Sequence, residues 1–582
     1  AGAASSSGRT APTRLVLSQA AVRRMQAYPW PGNEEELRTT VERAATQAVQ
    51  QLASTSTAAS GGSDAASPAA SPPPPGSAAA LIAPGEMTNT AAGGSGSSSG
   101  GMSRRDVEVA EELVWFGGQS RERLRLDLLR VVPGLRSLLR SDLWPDTINF
   151  GFTAYAFPVI VALLLFGPQD RDHNPVLNVF WDWWWPGIFL VYPFLGRVWC
   201  AVCPFMIYGE LVQRVRLAQG AVLAKWPRKQ MEAWGPWFLF SLFTAILVWE
   251  EVWDLPHTAA LSGWLLILIT AGAMVCSTFF ERRLWCRYLC PIGGMNGLFA
   301  KGAVTELRAR QGVCSGTCST YHCYKGGCAQ PPEGLETTGC PLYSHPAQLV
   351  DNKNCTLCMT CLKACPHKSV EFRLRLPGSE LWEGHEPSWA ELALLGLLAG
   401  AVPLHSLEDG SGRLAAQLGL GADLVGGVSG SHIAISLALM AVPAALAVGA
   451  HAASKVSAAQ LGTRPPAPLL TLGYAYLPVV WAATLAHYEQ GLMGEGGKVG
   501  QVAGAMVGLP DSLLPSIPHL VAHPAVIAFV QAATLLVGWG AGLALTRKLA
   551  GAPWASIWPH AAAMTALLAE VWALNVRVSW NI

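Results

Sequence analysis

Nine apolar stretches, each near the length of about 17–25 residues that a bilayer crossing needs, constrain this 582-residue chain more than any other feature. They lie near 148–167, 183–199, 233–252, 260–280, 390–406, 431–451, 468–487, 524–546 and 556–575. In hydrocarbon every backbone N–H and C=O must pair inside the protein, so such stretches fold as spanning helices. The stretch at 390–406 is short and 183–199 carries Pro186 and Pro193, which makes these two the candidates for re-entrant segments. Only 14 % of the residues are charged, against about 25 % in soluble domains, and an ordinary water-soluble protein is excluded. The 40 Lys and Arg nearly cancel the 39 Asp and Glu, so no basic excess points to nucleic acid. The 23 tryptophans suit membrane–water interfaces.

Basic residues orient the spans. The loops 200–232, 281–387, 452–467 and 546–553 hold 21 Lys and Arg, and the alternate loops hold 3. The positive-inside rule then sets one basic face toward cytoplasm, matrix or stroma, with the C-terminus opposite. Residues 1–102 are rich in Ala, Ser, Gly and Pro and are expected to lack a packed core. Their first 33 residues contain Arg9, Arg14, Arg23 and Arg24 and no acid. That composition fits either an organellar transit remnant, plastid over mitochondrion, or a low-complexity tail. Residues 103–142 carry Leu124, Leu128, Val131, Leu135, Leu138 and Leu139 at helical spacing, as expected of amphipathic helices on the membrane surface.

Nine of the 14 cysteines fall between Cys314 and Cys365. Cys355, Cys358, Cys361 and Cys365-Pro366 follow Cys-x2-Cys-x2-Cys-x3-Cys-Pro, in which three thiolates hold one [4Fe–4S] cubane and the fourth reaches a second. Upstream stand Cys314, Cys318, Cys323 and Cys328, then Cys340-Pro341. Crossed ligation gives Cys355, Cys358, Cys361 and Cys340 to one cluster. It gives Cys314, Cys318, Cys323 and Cys365 to the other and leaves Cys328 spare. Two further pairs end spans on the basic face: Trp199-Cys200-Ala-Val-Cys203-Pro204 and Trp285-Cys286-Arg-Tyr-Leu-Cys290-Pro291. Cys200, Cys203, Cys286 and Cys290 suit a soft metal such as Cu(I), an iron–sulfur centre, a redox dithiol or a structural role. Cys276, inside an apolar stretch, reads as a small buried hydrophobe.

These Cys–Pro segments followed by a two-cluster insert resemble the membrane polyferredoxins of the NapH/NosR/CcoG type over roughly residues 145–375. The resemblance implies electron transfer between a quinone pool or soluble donor and a partner redox protein, or redox support for maturation of a metal centre such as copper. The first pair departs from it, with two residues between the cysteines where the group has three.

Seven histidines lie toward the face opposite the basic one: His173, His257, His405, His432, His487, His519 and His523. They suit axial ligation of a b-type haem, with His432 and His487 as the expected pair, or copper, or a plain interfacial role. Glu570, in the last span, is either functional or snorkelling. No nucleotide fingerprint occurs, and Gly538-Trp-Gly540-Ala-Gly542 reads as helix packing. A nicotinamide donor would therefore act through a separate flavoprotein. The expected architecture is mainly α. It comprises a tail 1–102, surface helices 103–142, a four-span domain 143–304, a ferredoxin-like α+β insert 305–380 with two [4Fe–4S] clusters, and a five-span bundle 388–582. The expected role is an oxidoreductase-type electron carrier in a membrane, alone or in a larger complex.

Overall fold

A computed structural model describes residues 125–408, 430–510 and 512–576, with short stretches between 14 and 109. Among the described residues seven helical segments are long and apolar enough to cross a membrane: Leu143–Phe166, Arg228–Val252, Ala259–Phe279, Gly430–Gln460, Leu469–Met506, Pro524–Ala550 and Trp554–Val576. The chain is an integral membrane protein. The two remaining apolar stretches are the proline-bearing one and the short one. Pro175–Leu195 and Val198–Ala218 form a pair bent by 100°, which counts as an eighth span if taken together, and Trp389–His405 is a shorter apolar helix.

The chain divides into two compact units. The larger holds Leu124–Leu307, Leu349–Met359 and Phe372–Ile582, and the smaller holds Ala1–Arg123, Arg308–Gln348 and Thr360–Glu371. The Cys355–Cys365 motif is divided between the units after Met359.

In the smaller unit, β1 (Arg14–Leu17) pairs in parallel with β2 (Asp106–Val109). Ala21, Met25, Ala44, Ala48 and Val109 form a small buried cluster. This part of 1–102 thus has packed structure where composition gave none, because alanines and one strand suffice for a local cluster. Most of 1–102, the Pro and Gly/Ser runs included, lies outside the described residues.

In the larger unit, residues 125–142 give β3 (Leu126–Asp127) and, after a break, a short helix, α1 (Pro133–Arg140). Pro133 explains the break, since it occupies the first helical position after Val132. β3 pairs antiparallel with β5 (Val370–Leu374), in a sheet of order β3-β5-β4 with β4 (Thr305–Ala309).

The membrane helices of the larger unit are α2 (Ala154–Phe166), α3 (Trp185–Leu195), α4 (Pro204–Ala218), α5 (Arg228–Val252) and α6 (Ala259–Phe279). After them come α7 (Pro291–Ala300), α8 (Trp389–Glu408), α9 (Gly430–Gln460), α10 (Leu477–Gly494), α11 (Pro524–Ala550) and α12 (Trp554–Val571). Apolar chains cannot drive association in lipid, so close backbone approach does. On α11, a Cβ at Gly538 would stand 2.2 Å from Ala482 Cβ, and one at Gly542 2.7 Å from Val479 Cγ2, both on α10. Gly540 faces open space. Gly538→Leu is expected to separate the two helices and lower the thermal unfolding midpoint by several degrees, with Gly540→Leu near neutral; equal midpoints for the two variants would contradict this packing.

A buried polar knot closes the end of α7. Lys301, fully buried, meets Glu391 at 2.8 Å and Asp351 at 3.2 Å, and Tyr474 donates to Glu391 at 2.6 Å. His385 stacks edge-on against Tyr474, with ring centroids 4.6 Å apart. Burial, with Lys301 nearby, holds the His385 imidazole down from 6.5 to about 4. Between these values the unfolded chain takes up a proton that the folded one refuses. The stabilisation is complete above pH 6.5 and is lost as pH falls toward 4. Thermal unfolding of His385→Gln is expected to depend less on pH between 7 and 5 than the parent; an unchanged slope would contradict the assignment.

Candidate iron–sulfur sites

In the smaller unit Cys314, Cys318, Cys323 and Cys365 line one pocket. Ser369 Oγ is 3.2 Å from Cys314 Sγ, and the Ser369 N–H donates to Cys365 Sγ at 3.4 Å. A ring nitrogen of His345 stands 3.6 Å from Cys323 Sγ, a neighbour that spacing alone did not single out. Burial pushes the Cys314 thiol up to about 12, and the Cys323 thiol also rises for that reason. Bound iron is what takes the proton's place on such thiols. Cys328 is exposed and is not among the residues lining this cavity.

Cys340 and Cys365 sit in matching backbone turns. In Cys340-Pro-Leu-Tyr-Ser344 and Cys365-Pro-His-Lys-Ser369 the serine N–H donates to the cysteine sulfur, at 3.3 and 3.4 Å. The residue before each serine is left-handed, with φ 49° at Tyr343 and 52° at Lys368. Such turns aim N–H groups at an anion. Leu357 and Met359, which flank Cys358, are left-handed as well, with φ 54° and 61°. Cys355 and Cys358 belong to the larger unit, and Cys340 and Cys361 to the smaller.

The larger unit assembles the four remaining paired cysteines. Cys203 ends an extended turn at the start of α4, and Cys290 does the same for α7, each with proline at the first helical position. The Cys290 sulfur accepts from the backbone three residues on, the Gly293 N–H at 3.3 Å. Every pairing of Cys200, Cys203, Cys286 and Cys290 lies within electrostatic reach. Asn296 Nδ2 donates to Cys200 Sγ at 3.2 Å, and the Tyr192 hydroxyl holds the Asn296 carbonyl. Burial pushes the Cys286 thiol up to about 11, with Arg283 pulling it back.

Arg197 is the residue that explains this arrangement. It is 2 % exposed. Its guanidinium donates to the Lys353 carbonyl and to the Cys286 carbonyl at 3.2 Å. Among the described residues no carboxylate lies within ion-pair distance of it, and the ionisable groups that face it are the thiols of Cys200, Cys286 and Cys290. A guanidinium taken out of water without an anion is costly, so these sulfurs are where negative charge belongs. Glycines make room for it: a Cβ at Gly293 would stand 3.3 Å from Arg197 Nη2, and one at Gly297 3.2 Å from Lys353 Cγ. Arg283 pairs with Glu210 at 3.0 Å and also lies within reach of Cys286 and Cys358.

Residues 177–229 and 262–310, which carry these two pairs, match the 4Fe-4S binding domain family. A 4Fe-4S binding domain is present. The resemblance to membrane polyferredoxins therefore holds, and it holds at the membrane-end cysteines. The chain is similar to the uncharacterized protein MJ0749 of Methanocaldococcus jannaschii, 25 % identical over 30 % of this chain and 64 % of that protein. It is 26 % identical to the methylamine utilization ferredoxin-type protein MauN of Paracoccus denitrificans, over 22 % of this chain and 50 % of that one. It is 30 % identical to the putative electron transport protein YccM of Escherichia coli, over 19 % of this chain and 28 % of that one. The chain thus spans between about a quarter and two thirds of these relatives. No solved structure matches it.

The two histidines expected to hold a haem each have a neighbour on another helix. His432 Nε2 lies 3.8 Å from Glu251 Oε1, while the His487 ring stands 5.7 Å from that of His405, centroid to centroid. Among the described residues no three His, Cys, Asp or Glu side chains are set to hold a single metal ion. Glu570 lies on α12, toward the end of the last span.

Proposed function

We propose that this protein is a membrane electron carrier with three iron–sulfur sites, two in the cysteine insert and a third at Cys200, Cys203, Cys286 and Cys290. The observation that carries the third site is Arg197, a buried guanidinium that faces the sulfurs of Cys200, Cys286 and Cys290. The N–H donors from Gly293 and Asn296 add to it, as does the family match over both segments. A [4Fe–4S] cluster with four thiolates is an anion that exchanges one electron at a time, and donors to its sulfurs set its potential. In the insert, Cys314, Cys318, Cys323 and Cys365 hold one cluster, and Cys355, Cys358, Cys361 and Cys340 the other.

On this reading electrons travel between a partner on the basic face and a redox group in or across the membrane. Arg283, within reach of both Cys286 and Cys358, ties the third site to the insert. The basic face is the stroma of a plastid, with a soluble redox protein as partner. Names of the relatives, one ferredoxin-type and one an electron transport protein, agree with the reading. The reading places no haem between His432 and His487 and gives copper no role. Electron paramagnetic resonance of the dithionite-reduced protein tests it. The expected result is a spectrum with two interacting clusters and a third signal that disappears in Cys200→Ser; an identical spectrum in that variant would refute the third site.

A further inference from the structure

His345 follows the Cys340 turn directly, in the run Cys340-Pro-Leu-Tyr-Ser344-His345-Pro346. Its ring belongs to the smaller unit and is 3 % exposed. Tyr321 packs edge-on against it with ring centroids 5.8 Å apart, and the Tyr324 ring stands at 6.3 Å. The backbone around it is pinned as well. The Ala309 N–H donates to the Pro346 carbonyl at 3.2 Å, and the Gln348 N–H to the His345 carbonyl at 2.9 Å.

Two contacts decide which ring nitrogen carries the proton. The Ala347 N–H donates to His345 Nδ1 at 3.2 Å. A backbone amide can only donate, so Nδ1 keeps its lone pair, and the neutral imidazole then holds its proton on Nε2. Nε2 stands 3.6 Å from Cys323 Sγ. The contact is therefore an N–H bond to sulfur, with its donor locked in place.

The preceding residue makes a bond of the same kind, since the Ser344 N–H donates to Cys340 Sγ at 3.3 Å. Consecutive residues thus donate to one ligand of each cluster proposed for the insert. The matching Cys365 turn differs at this point. There Val370 follows Ser369, and its aliphatic side chain has nothing to donate.

We infer that His345 sets the reduction potential of the cluster held by Cys314, Cys318, Cys323 and Cys365, through a fixed Nε2–H bond to the Cys323 sulfur. The inference rests on the iron–sulfur reading above. Reduction adds one electron and makes the cluster more negative, while the proton stays on Nε2. A donor aimed at a ligand sulfur favours the more negative form, so this bond raises the potential. His345 touches a ligand and not iron, and its role is that of a positioning residue.

A redox titration of the full chain in detergent, followed by electron paramagnetic resonance, tests this. His345→Phe is expected to keep its iron and to hold an electron at this cluster about tenfold less tightly, a fall of about 59 mV for a one-electron couple. His345→Gln, which restores an N–H at the reach of Nε2, is expected to recover most of that loss. Unchanged midpoints in His345→Phe at full iron, or a Gln variant shifted as far as the Phe variant, would overturn the inference. Should His345→Phe lose iron, the wild-type protein decides alone. With isotopically labelled histidine its reduced cluster is expected to show weak hyperfine coupling to a histidine nitrogen, and to keep it in the His322→Gln/His367→Gln double variant; absence of that coupling would overturn the inference. Cys323→Ser tests the underlying reading separately. Loss of about four iron atoms upholds the ligand set, and full iron overturns it and leaves His345 no cluster to act on.

Discussion

Arg197→Leu is expected to strip most of the iron from the four-thiol site while the insert keeps its own. Removing one partner of a buried charge pair typically costs about 3–5 kcal/mol. In this variant an anionic cluster would face an aliphatic side chain in place of the guanidinium that faces the Cys200 sulfur and donates to the Lys353 and Cys286 carbonyls. Arg197→Lys keeps the charge and loses the planar fork, so iron is retained. Its point charge reaches fewer of the acceptors, and the midpoint potential of that cluster falls. Iron analysis with a redox titration reads both effects. Iron content and potential unchanged in Arg197→Leu would show that the guanidinium serves packing alone.

The second large effect concerns the insert. Cys340→Ser is expected to lose about four iron atoms, one cubane, whereas Cys328→Ser loses none. The basis is the shared turn: Cys340 and Cys365 each accept an N–H from the serine four residues on, and each is followed by a left-handed residue just before that serine. Cys328 is exposed and does not line the Cys314–Cys323 cavity. Iron and acid-labile sulfide on the two purified variants check this. Equal iron in both would mean that Cys340 is not a ligand, and loss in Cys328→Ser alone would exchange the two assignments.

Much of this was legible in residues. The apolar stretches locate the spans because hydrocarbon length fixes helix length, and the prolines at 186 and 193 mark the segment that bends. The repeat Cys-Pro-x-x-Ser at 340 and 365 carries the turn geometry in plain view. Other parts depend on contacts that no spacing encodes. Arg197 reads as one of several basic residues at a membrane end, and only its burial beside thiols from two distant segments gives it a role. The convergence of Cys200 and Cys203 with Cys286 and Cys290 comes from the packing of α4 against α6 and of α7 against α3. The neighbours of the histidines are likewise set by packing: equal depth in a bilayer does not decide which rings face each other, and His487 meets His405 while His432 meets Glu251.

The iron and sulfide content of the intact, detergent-purified protein bears most directly on a third iron–sulfur site at the membrane-end cysteines. Three cubanes predict about twelve iron and twelve sulfide per chain, falling to about eight of each in Cys290→Ser. A value of about eight that Cys290→Ser leaves unchanged would contradict it.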